Sequence, residues 1–94
     1  MIRKVDKFFF DYNTGHIIMP KSSIILKVEK NSKDFMLWAL VNPDLPLVNR
    51  AIRIYSTGQE IDEEYIGTYI DTVYDGPYVW HIFDRGEIVS VKPV

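Results

Sequence analysis

The chain has 94 residues, 47% of them hydrophobic and 14% aromatic, with a net charge of −2 and an isoelectric point near 5.6. That apolar content excludes a disordered chain, which goes with few hydrophobic residues and high net charge, and the near balance of charge disfavours attraction to duplex nucleic acid or an anionic membrane. Cysteine is absent, which excludes disulfides, thiolate metal ligands and a thiol nucleophile, and favours a cytoplasmic setting over secretion.

A chain of this size is expected to form a single domain over residues 1–94 and to bury only about 60–65% of its unfolded surface. No apolar run approaches the roughly 20 residues that span a bilayer. Arg3, Lys4, Asp6 and Lys7 interrupt the first residues, so no signal-peptide core is read there. A soluble, cytoplasmic protein is the expectation.

Apolar and polar residues alternate with a period of two more often than they recur at helical spacing. Residues 3–10 are predicted to form the first strand, with Val5, Lys7 and Phe9 on one face and Asp6, Phe8 and Phe10 on the other. Asp11 to Gly15 supplies a turn into residues 16–19, and Pro20, which lacks a ladder donor, ends that piece. Residues 23–30 read as a one-sided strand, with Ile24, Leu26 and Val28 toward the core. After a turn at residues 31–34, residues 35–41 are apolar on both faces and predict a central strand covered on both sides.

Pro43 and Pro46 break the next stretch, with room for one short helical turn near Asp44. Residues 50–55 alternate again, setting Ile52 and Ile54 against Arg53 and Tyr55. An acidic loop follows, carrying Glu60, Asp62, Glu63 and Glu64. Residues 65–74 are predicted as a long strand in which Gly67 marks a bulge or a close backbone approach. Asp75-Gly76-Pro77 turns it into a hairpin with residues 78–83. Residues 84–86 close that strand and residues 87–92 offer a last one. Seven or eight short strands at spacings of about eight to twelve residues give an all-β class: a small antiparallel sandwich or partly open barrel.

Catalytic constellations are hard to assemble from these residues. His16 and His81 have no partner at the spacing of helical zinc motifs, so no metal site is expected. His81, between Trp80 and Ile82, reads first as an imidazole satisfied within the fold. The acidic loop lacks the spaced ligands and internal glycine of an EF-hand and reads as a solvated charge run. The glycines are dispersed, with no phosphate cradle, and there is no Gly-x-Ser-x-Gly elbow. A non-enzymatic protein without a cofactor is expected.

A binding module needs only a few polar groups among aromatic walls. Arg53 leads, because its planar fork suits phosphate. Tyr55 shares its face and can stack on a base. Trp38 or Trp80 could add a second wall, and His81 a hydrogen bond to phosphate or ribose. The structural alternative pairs Arg53 with Asp71 or a glutamate and places both tryptophans in the core.

The blocks Trp38 to Pro43 (WALVNP), Arg53 to Gly58 (RIYSTG), Tyr65 to Thr68 (YIGT) and Val79 to Phe83 (VWHIF) together resemble a widespread family of small proteins of uncharacterised function found in phages, prophages and their hosts. The resemblance runs from about Ile17 to Phe83. Ser56 stands where that family commonly has glycine. The resemblance implies a phage-type accessory protein and assigns no reaction and no residue.

Three functions follow as expectations. The first is sequestration of a nucleotide-derived host immune signal by Arg53 and the aromatics, as an anti-defence sponge in the host cytoplasm. A small chain builds a deep pocket most easily between subunits, so this reading expects a homo-oligomer. The second is an inhibitor or adaptor that binds a host protein through a sheet edge or aromatic patch. The third is a single-stranded nucleic-acid binder, which requires Lys4, Lys7, Lys27, Lys30 and Lys33 to gather on one face.

Overall fold

Alternation carries the chain into seven strands: β1 (Lys4–Phe10), β2 (His16–Pro20), β3 (Ile24–Lys30), β4 (Phe35–Val41), β5 (Leu47–Ser56), β6 (Thr68–Asp75) and β7 (Tyr78–Glu87). The structure, a computed structural model, describes residues 2–13 and 15–88. Among the described residues the helical content is one 3-10 turn, Glu63–Tyr65, and no helix is long and apolar enough to cross a membrane.

The strands form two antiparallel sheets that do not close into a barrel: β1-β4-β3, and β2-β5-β7-β6. Their facing surfaces bury Phe10, Met19, Val28, Phe35, Leu37, Val41, Ile52, Val73 and Ile82 as one cluster. Phe10 stacks on Phe35 with ring centroids 5.2 Å apart, and Trp80 meets Phe35 edge-on. The first strand keeps its expected faces, with Phe8 packed against the core and Val5 and Phe9 exposed.

Other expectations are corrected by bulges and strand ends. β3 shifts register between Ile25 and Lys27, so the extra residue Leu26 turns out to solvent (51% exposed) while Ile25 and Val28 face the core. Ile24, also expected inside, is 52% exposed. A bulge leaves one residue unpaired and inverts the side-chain phase beyond it. β4 is central, and its inner residues Phe35, Leu37, Ala39 and Val41 are buried. Its outer residues Met36, Trp38 and Leu40 are only half-buried, because no third layer of described residues covers them.

No helical turn forms at Asp44. A turn closed by Leu45 N–H to the Asn42 carbonyl (3.2 Å) leads directly into β5, three residues before the expected start. Residues 65–67 belong to the 3-10 turn and its exit rather than to β6, and Asp62 caps that turn through Glu64 N–H. β7 runs on through Arg85 and Gly86, because a bulge opposite Ala51 and Ile52 absorbs Arg85. Most of the last expected strand, residues 89–92, lies outside the described residues.

One ion pair ties this architecture together. Arg50 Nε and Nη2 donate to the two Asp84 oxygens at 2.9 and 2.7 Å, and Nη1 donates to the Ser23 carbonyl at 2.8 Å. The side chains are 13% and 14% exposed. Hydrogen bonding to the Asp84 carboxylate raises the Arg50 pKa, against the opposing effect of burial. Asp84 also accepts Gly86 N–H across the bulge. The pair therefore fixes the β5/β7 register and holds the chain entering β3 against the second sheet.

β3 and β6 lie side by side without ladder bonds. Asp71 of β6 accepts Val28 N–H at 3.2 Å and lies 3.9 Å from Lys27, while Lys30 reaches Asp75 at 3.3 Å. Side chains thus blunt two open sheet edges.

Two stability predictions follow from these contacts. Arg50→Ala leaves the Asp84 carboxylate buried without its partner and is expected to lower unfolding stability by about 3–5 kcal/mol; Arg50→Lys, lacking the bidentate fork, restores little of it. Gly67 has φ +76°, and an added Cβ there would stand 2.5 Å from the Asp84 carbonyl oxygen. Gly67→Ala is expected to cost about 1–3 kcal/mol. Denaturant unfolding of the purified variants measures both.

Candidate functional site

The outer face of the second sheet is set by alternation along three neighbouring strands. Ile52 and Ile54 point inward from β5, so Arg53 and Tyr55 point outward. Ile82 and Trp80 point inward from β7, so His81 and Phe83 point outward. The pairings Tyr55 with His81, Arg53 with Phe83, Tyr69 with Phe83 and Thr72 with His81 place these side chains in adjacent rows. None of these outward strand positions from Arg53 to Thr72 carries a carboxylate.

Phe83 is the centre of an aromatic group. Tyr55 and Tyr69 meet its ring edge-on from either side, at centroid distances of 5.8 and 5.7 Å. With Ser56 to Gln59, Ile61 and His81 they line an open groove of about 300 Å³. Its far wall is a tight turn in which Gln59 N–H donates to the Ser56 carbonyl at 3.1 Å, with Gly58 at φ +88°. A turn with a left-handed third residue demands glycine at that place. Serine at position 56 fits it, and its backbone N–H donates to the Gln59 side chain.

His81 sits in the groove floor with both ring nitrogens engaged. Thr57 Oγ1 lies 2.8 Å from Nε2 and Thr72 Oγ1 lies 3.1 Å from Nδ1, while the Tyr69 hydroxyl continues the chain to Thr72 at 2.6 Å. A neutral imidazole has one donor and one acceptor nitrogen, and rotatable hydroxyls on both sides satisfy either tautomer. The ring thereby fixes Thr57 and Tyr69 as groove walls.

Arg53 differs from Arg50 in what it touches. Its Nη1 donates to the Gly15 and Ile52 carbonyls. Among the described residues it has no ion pair, and its Nε and Nη2 make no hydrogen bond. The sequence-based alternative of a pair with Asp71 is corrected: Asp71 is engaged across the seam by Val28 and Lys27.

Of the five predicted ligand residues, the fold gathers Arg53, Tyr55 and His81 on one face. Trp80 points the opposite way, packed among Phe35, Tyr12 and Tyr78. Trp38 lies on the outer face of the other sheet, paired in register with Lys7 and Lys27. Neither tryptophan walls the groove, and Trp38 is not a core residue either. Sequence reasoning passed over Tyr69, Phe83, Thr57, Thr72 and Gln59. Strand parity was the available signal, since Phe83 shares the face of His81 and Trp80 cannot.

These lysines do not gather on one face. Lys7 and Lys27 flank Trp38 on the outer face of the first sheet, whereas Lys4, 4.0 Å from Asp6, and Lys30, drawn to Asp75 with its side chain 12% exposed, have the opposite parity. The acidic loop forms no cluster arranged to hold a metal ion among the described residues.

No curated protein and no solved structure matches the chain. A family described as a domain of unknown function, DUF7352, matches residues 1–90, and the chain belongs to that family.

Proposed function

We propose that this protein binds, without chemical conversion, a small anionic ligand with an aromatic ring, in the class of nucleotide-derived signals. The observation that carries this reading is a guanidinium that has no ion pair among the described residues and stands beside an aromatic groove. Among the described residues the Nε and Nη2 of Arg53 make no hydrogen bond, and Arg53 stands two positions from Tyr55 and directly across from Phe83. A planar fork of this kind recognises phosphate oxygens, and exposed Tyr and Phe rings offer stacking surface for a base.

The groove volume of about 300 Å³ is at the lower end of small-molecule sites. It suits one nucleotide unit. An open groove also covers a ligand on one side only, so tight sequestration requires a second wall, and a homo-oligomer with grooves facing one another supplies it. The full reading is a phage-type accessory protein that withholds a host immune signal in the infected cell's cytoplasm. Its support is the resemblance of the sequence blocks to phage and prophage proteins together with the aromatic groove and Arg53 on the same sheet face.

Titration calorimetry with a panel of linear and cyclic mononucleotides and dinucleotides tests the reading. One or more members are expected to bind, with Arg53→Ala weakening binding about tenfold or more, or about 1.4 kcal/mol. The fold should stay intact, with at most a small fall in thermal midpoint from loss of the Nη1 hydrogen bonds to the Gly15 and Ile52 carbonyls. Absence of binding across the panel, or equal affinity in Arg53→Ala, rejects it.

A further inference from the structure

The outer face of β1-β4-β3 is apolar, three strands wide and uncovered by described residues. Its register gives three cross-strand rows: Val5, Leu40 and Ile24; Lys7, Trp38 and Lys27; Phe9, Met36 and Glu29. Phe9 is 57% exposed, and Leu26 at the bulge adds to the apolar surface. Alternating apolar residues on a solvent-facing strand have no folding reason to be there, and a contiguous patch of this kind marks an interaction surface.

The central row decides the partner. Lys7 and Lys27 flank Trp38, and the Lys7 ammonium lies 5.2 Å from the Phe9 ring centroid and 5.8 Å from that of Trp38. Among the described residues Lys7 has no ion pair. Lys27 stands 3.7 Å from Glu29, in an exposed pair that a new carboxylate can replace at small cost, and 3.9 Å from the half-buried Asp71.

A second copy of the chain fits this face poorly. Turned about a two-fold axis along β4, it brings Lys27 over Lys7; turned about an axis across the strands through the Trp38 row, it sets each lysine against its own counterpart. Either arrangement buries like charges at the centre of the contact. A nucleic-acid strand needs a track of cations, whereas this face offers two, divided by a tryptophan, with Glu29 beside them.

We propose that this face docks an acidic amphipathic segment of another protein, its apolar side chains on Phe9, Trp38 and Leu40 and its carboxylates on Lys7 and Lys27. The surface lies on the opposite side of the sandwich from the groove lined by Tyr55, Tyr69 and Phe83, and its use does not depend on what that groove binds.

The test uses the full chain and a fluorescent synthetic peptide alternating glutamate and leucine, with a lysine-for-glutamate peptide of equal length as control. The acidic peptide is expected to bind with affinity that falls as salt rises, while the control does not bind. Lys7→Glu and Phe9→Ser, both at exposed positions, should each weaken binding about tenfold or more without lowering the thermal midpoint. Arg53→Ala should bind the peptide normally, which separates this proposal from the groove.

No binding of the acidic peptide, equal binding of the control, or indifference to Lys7→Glu overturns the proposal. So does sedimentation showing a dimer that Phe9→Ser dissociates, which assigns the face to a second copy. Salt-sensitive binding of oligo-dT that Lys7→Glu abolishes assigns it to single-stranded nucleic acid instead and likewise overturns it.

Discussion

The Arg50–Asp84 pair is the contact on which the rest of this structure depends. It lies on the inner side of the second sheet, where water is largely excluded, and it uses three of the guanidinium's donors at once. Such a pair is a weak source of net stability compared with a well-packed apolar contact. Its value lies in specificity. A slip of β5 against β7 by one residue would turn Arg50 to the outer face, leave Asp84 buried without its partner, and bring Arg53 and Tyr55 into the core. The outer face is therefore determined by an interaction on the inner one.

Two arginines three residues apart thus have different fates, and the sequence shows why they are hard to tell apart. Both alternate with isoleucines and alanine in the same strand. Three residues apart, they point to opposite faces of the sheet, but what Arg50 meets inside, a carboxylate 34 residues along the chain, is something local alternation carries no information about. Strand identity and the turns at Asp75 to Pro77 were legible because they depend on local chemistry. The bulges at Leu26 and Arg85 were not. An extra residue inserted into a ladder leaves no mark when it is neither glycine nor proline, and Leu26 suits either face by composition.

The candidate site divides in the same way. Arg53 and Tyr55 were found because they share a strand and a parity. His81 joins them through the β5/β7 pairing. Trp80 and His81 are neighbours in a strand and point to opposite faces, so only His81 can line the groove. Aromatic character alone does not distinguish a packing ring from a recognition ring; here position does. The rings of Phe35, Phe10 and Trp80 join the two sheets, while those of Tyr55, Tyr69 and Phe83 are left over on the outside.

The order of strands along the chain has a consequence for synthesis. β2 lies in sequence between the strands of the first sheet, yet it pairs with β5 of the second. As the polypeptide emerges, β1, β3 and β4 can assemble by Val41, while Ile17 and Met19 of β2 have no strand to pair with until β5 follows. At about 5–20 residues per second that interval is about 2–7 s. During it an apolar strand with two open edges is accessible to any other nascent chain, and the narrow limit on misassembly is set by its length of five residues and by Pro20 at its end.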